Sequence, residues 1–152
     1  MKYADYIVTD ARGKPVLVVE VKARCLSAEE WKPVRKQLKE YQSTASIIFG
    51  MIADLKTIEV FKLDPSYPRK TIRLRTEDVL QPYDPEFESR KTEISYFHFE
   101  TLVTAWLRDL AYRWNSEPPP ALKELREFEL LPLMQDGDVR RSEALDRAHT
   151  LP

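Results

Sequence analysis

The chain has 152 residues, of which 43% are hydrophobic and 32% charged, and its formal net charge is −1. This length accommodates one domain with its own core, and no apolar run reaches the roughly 18 residues that a membrane-spanning helix needs. The N-terminal segment lacks the apolar stretch of a signal peptide, and the single cysteine, Cys25, excludes an internal disulfide and a cysteine-based zinc cluster. We therefore expect one cytoplasmic globular domain.

The charge is unevenly distributed between the two halves of the chain. Residues 1–75 contain fifteen basic and nine acidic residues, a net charge of +6, whereas residues 76–152 carry a net charge of −7. Two interpretations are open: two solvated faces that attract each other or a partner, or a basic half that faces phosphate. The basic residues concerned are Lys32, Arg35, Lys36, Lys39, Arg69, Lys70, Arg73 and Arg75.

The first half of the chain predicts a β-β-α-β-β order. Two β-rich runs, residues 3–9 and 15–23, flank the turn-forming segment 11–14 and predict a hairpin. Ser27 is followed three residues later by Glu30, a capping-box pattern, and apolar residues at helical spacing then predict a helix over about residues 28–44. Further runs predict strands at residues 46–53, 57–63 and 71–74.

The second half predicts one long helix and a tail. Large apolar residues at steps of three and four predict a helix over about residues 97–114 that packs on the sheet. Three prolines at 118–120 end any helix, and a short amphipathic helix is predicted at residues 121–131. We therefore expect a domain at residues 1–116 and a proline-initiated tail at 117–152 with one short helix, mobile or partner-dependent from about residue 132.

The second predicted strand carries an acid and a base on one face. Alternation places Glu20 and Lys22 on the same side of a strand whose two faces are otherwise apolar. A two-residue loop at Arg12-Gly13 would pair positions whose numbers sum to 25, which sets Asp5 directly opposite Glu20. Because buried like charges repel, such a pair needs a compensating cation.

This arrangement predicts a metal site. The carboxylates of Asp5 and Glu20, with the main-chain carbonyl of Val21, form an incomplete oxygen shell of the kind that Mg²⁺ or Mn²⁺ accepts. Water and a phosphate oxygen would complete it. Lys22 is placed to orient or deprotonate an attacking water and to stabilise charge that develops on phosphorus.

These residues resemble the signature of a known family. Asp5 followed by Glu20-Val21-Lys22 is similar to the D…ExK motif of the PD-(D/E)xK nuclease superfamily. Gln37 and Tyr41 resemble the QxxxY motif of RecB-like members and of the N-terminal nuclease domain of type I restriction enzyme motor subunits. The resemblance covers about residues 3–63. It departs from the family at Ala4, where the family name has proline.

The resemblance implies an α/β fold with a restriction-endonuclease-like core, in which helices flank a mixed central β-sheet, and an α-helical C-terminal part. Asp5 and Glu20 would be metal ligands and Lys22 the catalytic lysine, while Gln37 and Tyr41 would face the site or contact DNA phosphate. The family usually has a further acidic residue on a helix before the first strand. That helix could be missing here, or it could be replaced by the helix around Glu93 or Glu100. It could also be absent because the first residue of the chain was assigned too far downstream.

Two functions remain open from the sequence. The first is a Mg²⁺-dependent endodeoxyribonuclease that hydrolyses DNA phosphodiester bonds. The alternative is a non-catalytic nucleic-acid-binding or assembly subunit that keeps the nuclease fold and docks through its acidic half. In either case a homodimer or a partner subunit is expected to supply specificity, and a two-fold pair of sites could address both DNA strands.

Overall fold

A six-stranded mixed β-sheet lies at the centre of the molecule. The computed structural model describes residues 4–63, 70–112 and 117–142. The strand order is β5-β4-β3-β2-β1-β6, and β2 and β3 are parallel whereas the other neighbouring pairs are antiparallel. The strands are β1 (Tyr6–Thr9), β2 (Pro15–Val21), β3 (Phe49–Ala53), β4 (Thr57–Lys62), β5 (Lys70–Arg75) and β6 (Asp138–Arg141).

Helices cover both faces of this sheet. They are α1 (Ala28–Ala45), α2 (Thr76–Leu80), α3 (Phe87–Arg90), α4 (Tyr96–Tyr112), α5 (Leu122–Glu127) and α6 (Leu131–Met134), with a 3₁₀ turn at Lys91–Glu93. One apolar core lies between α1 and the sheet, and a larger one lies on the opposite face beneath α4 and the shorter helices. The prediction of an α/β fold with a mixed sheet flanked by helices is therefore confirmed. Within the described ranges, no helix is long and apolar enough to cross a membrane.

The β1–β2 hairpin has the predicted register over most of its length. The pairs from Tyr6↔Val19 to Val8↔Leu17 each sum to 25. Alternate residues of β2 also face different cores, since Val19 lies in the core beneath α4 and Val18 in the core beneath α1. The hydrophobic pattern therefore sets the register here, because a slip of one residue would exchange the two faces.

The turn of this hairpin differs from the prediction. The predicted two-residue loop at Arg12-Gly13 is wrong, since β1 ends at Thr9 and β2 begins at Pro15. Asp10 stabilises the longer turn, because its Oδ1 accepts the backbone N–H groups of Arg12 and Lys14, each at 2.9 Å. Thr9 pairs with Pro15, one residue off the predicted register, and the pairing then shifts by one residue between Val8 and Thr9. The pairs from Val8 to Tyr6 consequently agree with the prediction although the turn does not.

Helix α1 has the predicted start. The capping box is present, with the Ser27 side chain accepting from the Glu30 N–H and the Glu30 side chain accepting from the Ser27 N–H. Pro33 lies inside the helix and costs one backbone hydrogen bond. At the other end Ser46 adopts a left-handed conformation (φ 58°), so β3 begins at Phe49 and not at residue 46 as predicted.

The C-terminal part departs most from the prediction. Strand β6 pairs antiparallel with β1, so residues predicted to be mobile or partner-dependent extend the sheet. The described part of the predicted tail contains two helices, α5 and α6, where one was expected, and the expected α-helical character is interrupted by this strand. Helix α2 was not predicted. Residues 113 and 114 of the long predicted helix lie outside the described residues, and the domain boundary at residue 116 stays a prediction.

Candidate functional site

A cleft of about 190 Å³ opens between the start of β1, the end of β2 and helix α1. The five side chains predicted from the sequence to form a site all line it, although they come from three different elements. Because this is the face where α1 packs on the sheet, side chains of the helix stand over those of the strands. The lining residues are Ala4, Asp5, Glu20, Lys22, Gln37, Leu38 and Tyr41.

Asp5 enters the cleft from just before β1. Its backbone N–H donates to the carbonyl of Val19 at 3.0 Å, so Asp5 is not the ladder partner of Glu20 that the register predicted. The regular pairing of β1 with β2 ends at Tyr6↔Val19, so Asp5 lies just outside the ladder and its side chain is not fixed by the strand alternation. The Asp5 side chain consequently turns back on the hairpin, where its Oδ2 accepts the N–H of Val21 at 2.7 Å.

Glu20 is held against Asp5 in a poorly solvated position. The Glu20 side chain is 19% exposed. Burial, and secondly the neighbouring Asp5 carboxyl, raise the pKa of Glu20 from 4.5 to about 8, although Lys22 at 3.6 Å acts in the opposite direction. At neutral pH, without a cation, Glu20 is therefore mostly protonated. Lys22 therefore offsets only a part of the effect of burial and of Asp5 on Glu20.

Lys22 lies where β2 leaves the sheet. Its backbone N–H donates to the carbonyl of Ala53 at 2.8 Å, which fixes the main chain beside β3. Its side chain is 35% exposed, and its Nζ is 3.6 Å from Oε1 of Glu20. The ammonium group can therefore reach both the acid pair and solvent at the cleft mouth.

Helix α1 supplies the remaining two predicted residues. Gln37 is exposed, whereas Tyr41 is 8% exposed and its hydroxyl lies 3.2 Å from Oγ of Ser142. The four-residue spacing places both on one side of the helix, facing the cleft. The structure thus brings all five predicted side chains together.

A buried ion pair fixes α1 on the sheet. Glu59 of β4 is 1% exposed and accepts two hydrogen bonds from Arg35, at 2.7 and 2.8 Å, in the fork geometry typical of strong guanidinium pairs. Arg73 of β5 donates to the same carboxylate at 3.2 Å. Arg35 and Arg73 were among the residues considered for phosphate contacts; both bind this carboxylate, and the Arg73 side chain remains 64% exposed.

Helix α4 also approaches the site, which the sequence indicated only in part. Burial, then Asp5, then Glu100 raise the pKa of the Tyr96 hydroxyl, so the start of α4 lies against Asp5. Glu100 is 3% exposed and accepts from Arg141 of β6 at 2.6 Å. Glu93 instead lines a separate cavity of about 430 Å³. Of the two acids considered as substitutes for the family's helix, Glu100 is the one that shares a neighbour, Tyr96, with Asp5.

The donor set at the acid pair fits some metals and not others. Among the described residues, no group of three or more His, Cys, Asp or Glu side chains could hold a metal ion. Structural zinc sites use four protein ligands, chiefly Cys and His, and the two carboxylates of Asp5 and Glu20 are not such a set. Mg²⁺ retains several waters and commonly binds through one or two carboxylates. Asp5 and Glu20 fit that requirement, and the carbonyl of Val21 as a further ligand stays a prediction.

Comparison with known proteins gives one match. A search of curated proteins and a search of solved structures each found no significant match. A family model described as the type I restriction enzyme R protein N terminus (HSDR_N) matches residues 1–76, half of the 152 residues. The matched segment runs from the N-terminus through β5 and contains every side chain predicted to form the site. The chain therefore belongs to the family of the type I restriction enzyme R protein N terminus.

Proposed function

We propose that this chain is a metal-dependent nuclease with a restriction-endonuclease-like core of the PD-(D/E)xK type, which hydrolyses DNA phosphodiester bonds. The observation that carries the proposal is the convergence of Asp5, Glu20, Lys22, Gln37 and Tyr41 on one cleft. Membership of the family supports it, because that membership indicates a role in a restriction system. The β-β-α-β-β order with a mixed sheet agrees with the proposed core.

In this proposal the acid pair holds Mg²⁺ or Mn²⁺. A bound cation of this kind supplies Lewis acidity and a water molecule of lowered pKa. Asp5 is oriented for ligation by the Val21 N–H on its Oδ2. Glu20 would bind the cation as a carboxylate, because the positive charge would offset the repulsion between the two carboxyl groups and so favour loss of the Glu20 proton.

Lys22, Gln37 and Tyr41 act on the substrate side of the pair. The Lys22 ammonium group, 3.6 Å from Glu20, orients the attacking water and stabilises negative charge that develops on phosphorus. Gln37 and Tyr41 contact the phosphate backbone from α1. DNA is the proposed partner, and a homodimer or a partner subunit would supply sequence recognition and the second strand cut.

The test is nicking of supercoiled plasmid DNA in Mg²⁺ or Mn²⁺ by the wild type and two variants. Glu20→Ala and Lys22→Ala are expected to lower the nicking rate at least a hundred-fold, and a chelator is expected to abolish nicking by the wild type. Glu40→Ala is the matched control, because Glu40 is an exposed acid on α1 outside the cleft. DNA binding without nicking, unchanged in Glu20→Ala, would refute the nuclease and favour the non-catalytic subunit.

A further inference from the structure

The end of strand β6 reaches the acid pair from the far end of the chain. Arg141 pairs with Tyr6, and the next residue, Ser142, donates its backbone N–H to the carbonyl of Asp5 at 3.2 Å. Ser142 is fully buried, at 0% exposure. Residues 138–142 lie outside the segment 1–76 that matches the family, so nothing in that match assigns them a role.

The Ser142 side chain contacts the opposite wall of the cleft. Its Oγ lies 3.2 Å from the hydroxyl of Tyr41, a hydrogen-bond distance, and Tyr41 is itself 8% exposed. Ser142 therefore bonds through its main chain to the segment that carries Asp5 and through its side chain to the helix that carries Tyr41. Ala4 and Ile7 on one side of the cleft and Leu38 and Tyr41 on the other belong to one apolar cluster, and apolar packing restrains distance more than direction.

We propose that Ser142 is a positioning residue for the nuclease reaction, because it sets the Tyr41 hydroxyl relative to Asp5; the inference rests on the proposed function. A tyrosine hydroxyl lies at the end of a long, rigid side chain, so a small rotation about χ1 moves its oxygen by about an ångström. A hydrogen bond to a buried partner removes that freedom. Displacements of this size at a group that positions the substrate lower rates by about one to two orders of magnitude.

The test uses Ser142→Ala in the full chain. This substitution removes Oγ but keeps the backbone N–H that bonds to Asp5, so the Mn²⁺ Kd is expected to stay within about two-fold of wild type. The plasmid-nicking kcat is expected to fall about ten-fold, with KM changed little. Ser142→Thr, which retains a hydroxyl, is expected to keep at least half of the wild-type kcat.

A double-mutant cycle with Tyr41→Phe tests the pairing itself. If Ser142 acts through Tyr41, the double variant is expected to lose no more activity than the Tyr41→Phe single variant. This cycle decides the matter even if Ser142→Thr fails to fold. Independent losses that multiply in the double variant would overturn the inference.

Thr9→Val is the matched control for loss of a hydroxyl between β1 and β6. Thr9 is 1% exposed, and its Oγ1 accepts the N–H of Asp138 at 3.3 Å, at the other end of the same strand pair. We expect this variant to lower Tm about as much as Ser142→Ala but to leave kcat unchanged. If Ser142→Ala also leaves kcat unchanged, the inference fails and the proposed function stands. A wild type that neither binds Mn²⁺ nor nicks DNA overturns both.

Discussion

Glu20→Gln is expected to stabilise the metal-free protein in a pH-dependent way. The substitution keeps the size of the side chain and removes a carboxyl that burial and Asp5 make costly to ionise. Its folded-state pKa of about 8 lies above the ordinary value of 4.5. The stability that protonated Glu20 contributes is therefore complete below about pH 4.5 and is lost as the pH rises to about 8.

The size of the effect follows from that interval. Each pH unit between the two pKa values lowers the free energy of unfolding by about 1.4 kcal/mol, so that of the wild type falls by about 3 kcal/mol between pH 4.5 and pH 7. The glutamine variant does not titrate and keeps its stability over this range. Loss of the Lys22 contact offsets a part of the gain. At pH 8 without divalent cations, Glu20→Gln is expected to unfold roughly 5 to 10 °C above the wild type.

Thermal unfolding followed by circular dichroism measures this difference. The two proteins are compared at pH 5 and pH 8 in the presence of a chelator, and again at pH 8 with saturating Mn²⁺. We expect near equality at pH 5, a higher Tm for the variant at pH 8, and a gain with Mn²⁺ in the wild type alone. A variant less stable than the wild type at pH 8, or a difference independent of pH, would show that ionisation of Glu20 beside Asp5 does not destabilise the fold.

Two further predictions concern the Glu20 proton and the ion pair between Arg35 and Glu59. Because Mn²⁺ must displace the Glu20 proton, the Mn²⁺ Kd is expected to fall about ten-fold for each unit by which the pH rises towards about 8, and to level off above it. Calorimetry in buffers of different ionisation enthalpy counts the released proton. A pH-independent Kd would contradict the prediction. Glu59→Ala leaves the half-buried guanidinium of Arg35 without its carboxylate and is expected to lower the free energy of unfolding by about 2 to 4 kcal/mol. Urea denaturation measures that loss, and a change below about 0.5 kcal/mol would show that the ion pair does not anchor α1.

Local patterns predicted much of the region around the cleft. The capping box at Ser27 and the four-residue step from Gln37 to Tyr41 depend only on near neighbours in the sequence, and both have the expected geometry. Alternation along β2 placed Glu20 and Lys22 on one side for the same reason. Asp5 reached the cleft although it does not pair with Glu20 as predicted, because its side chain turns back on the hairpin and accepts the Val21 N–H.

Contacts between distant segments could not be predicted in this way. Strand β6 is four residues long and contains one buried apolar residue, so it has no recognisable strand pattern of its own. Its identity as a strand depends on pairing with β1, more than 120 residues earlier. The hydrogen bond between Ser142 and Tyr41 and the ion pair between Arg35 and Glu59 also join residues far apart in the sequence. They depend in the same way on three-dimensional packing.

The proposed metal site is tested by a calorimetric titration of Mn²⁺ into the wild type, Glu20→Ala and the control Glu40→Ala at pH 8. We expect one site per chain with a Kd in the micromolar to millimolar range in the wild type and in the control, and no binding in Glu20→Ala. Equal binding by all three proteins, or none by the wild type, would contradict a metal site formed by Asp5 and Glu20.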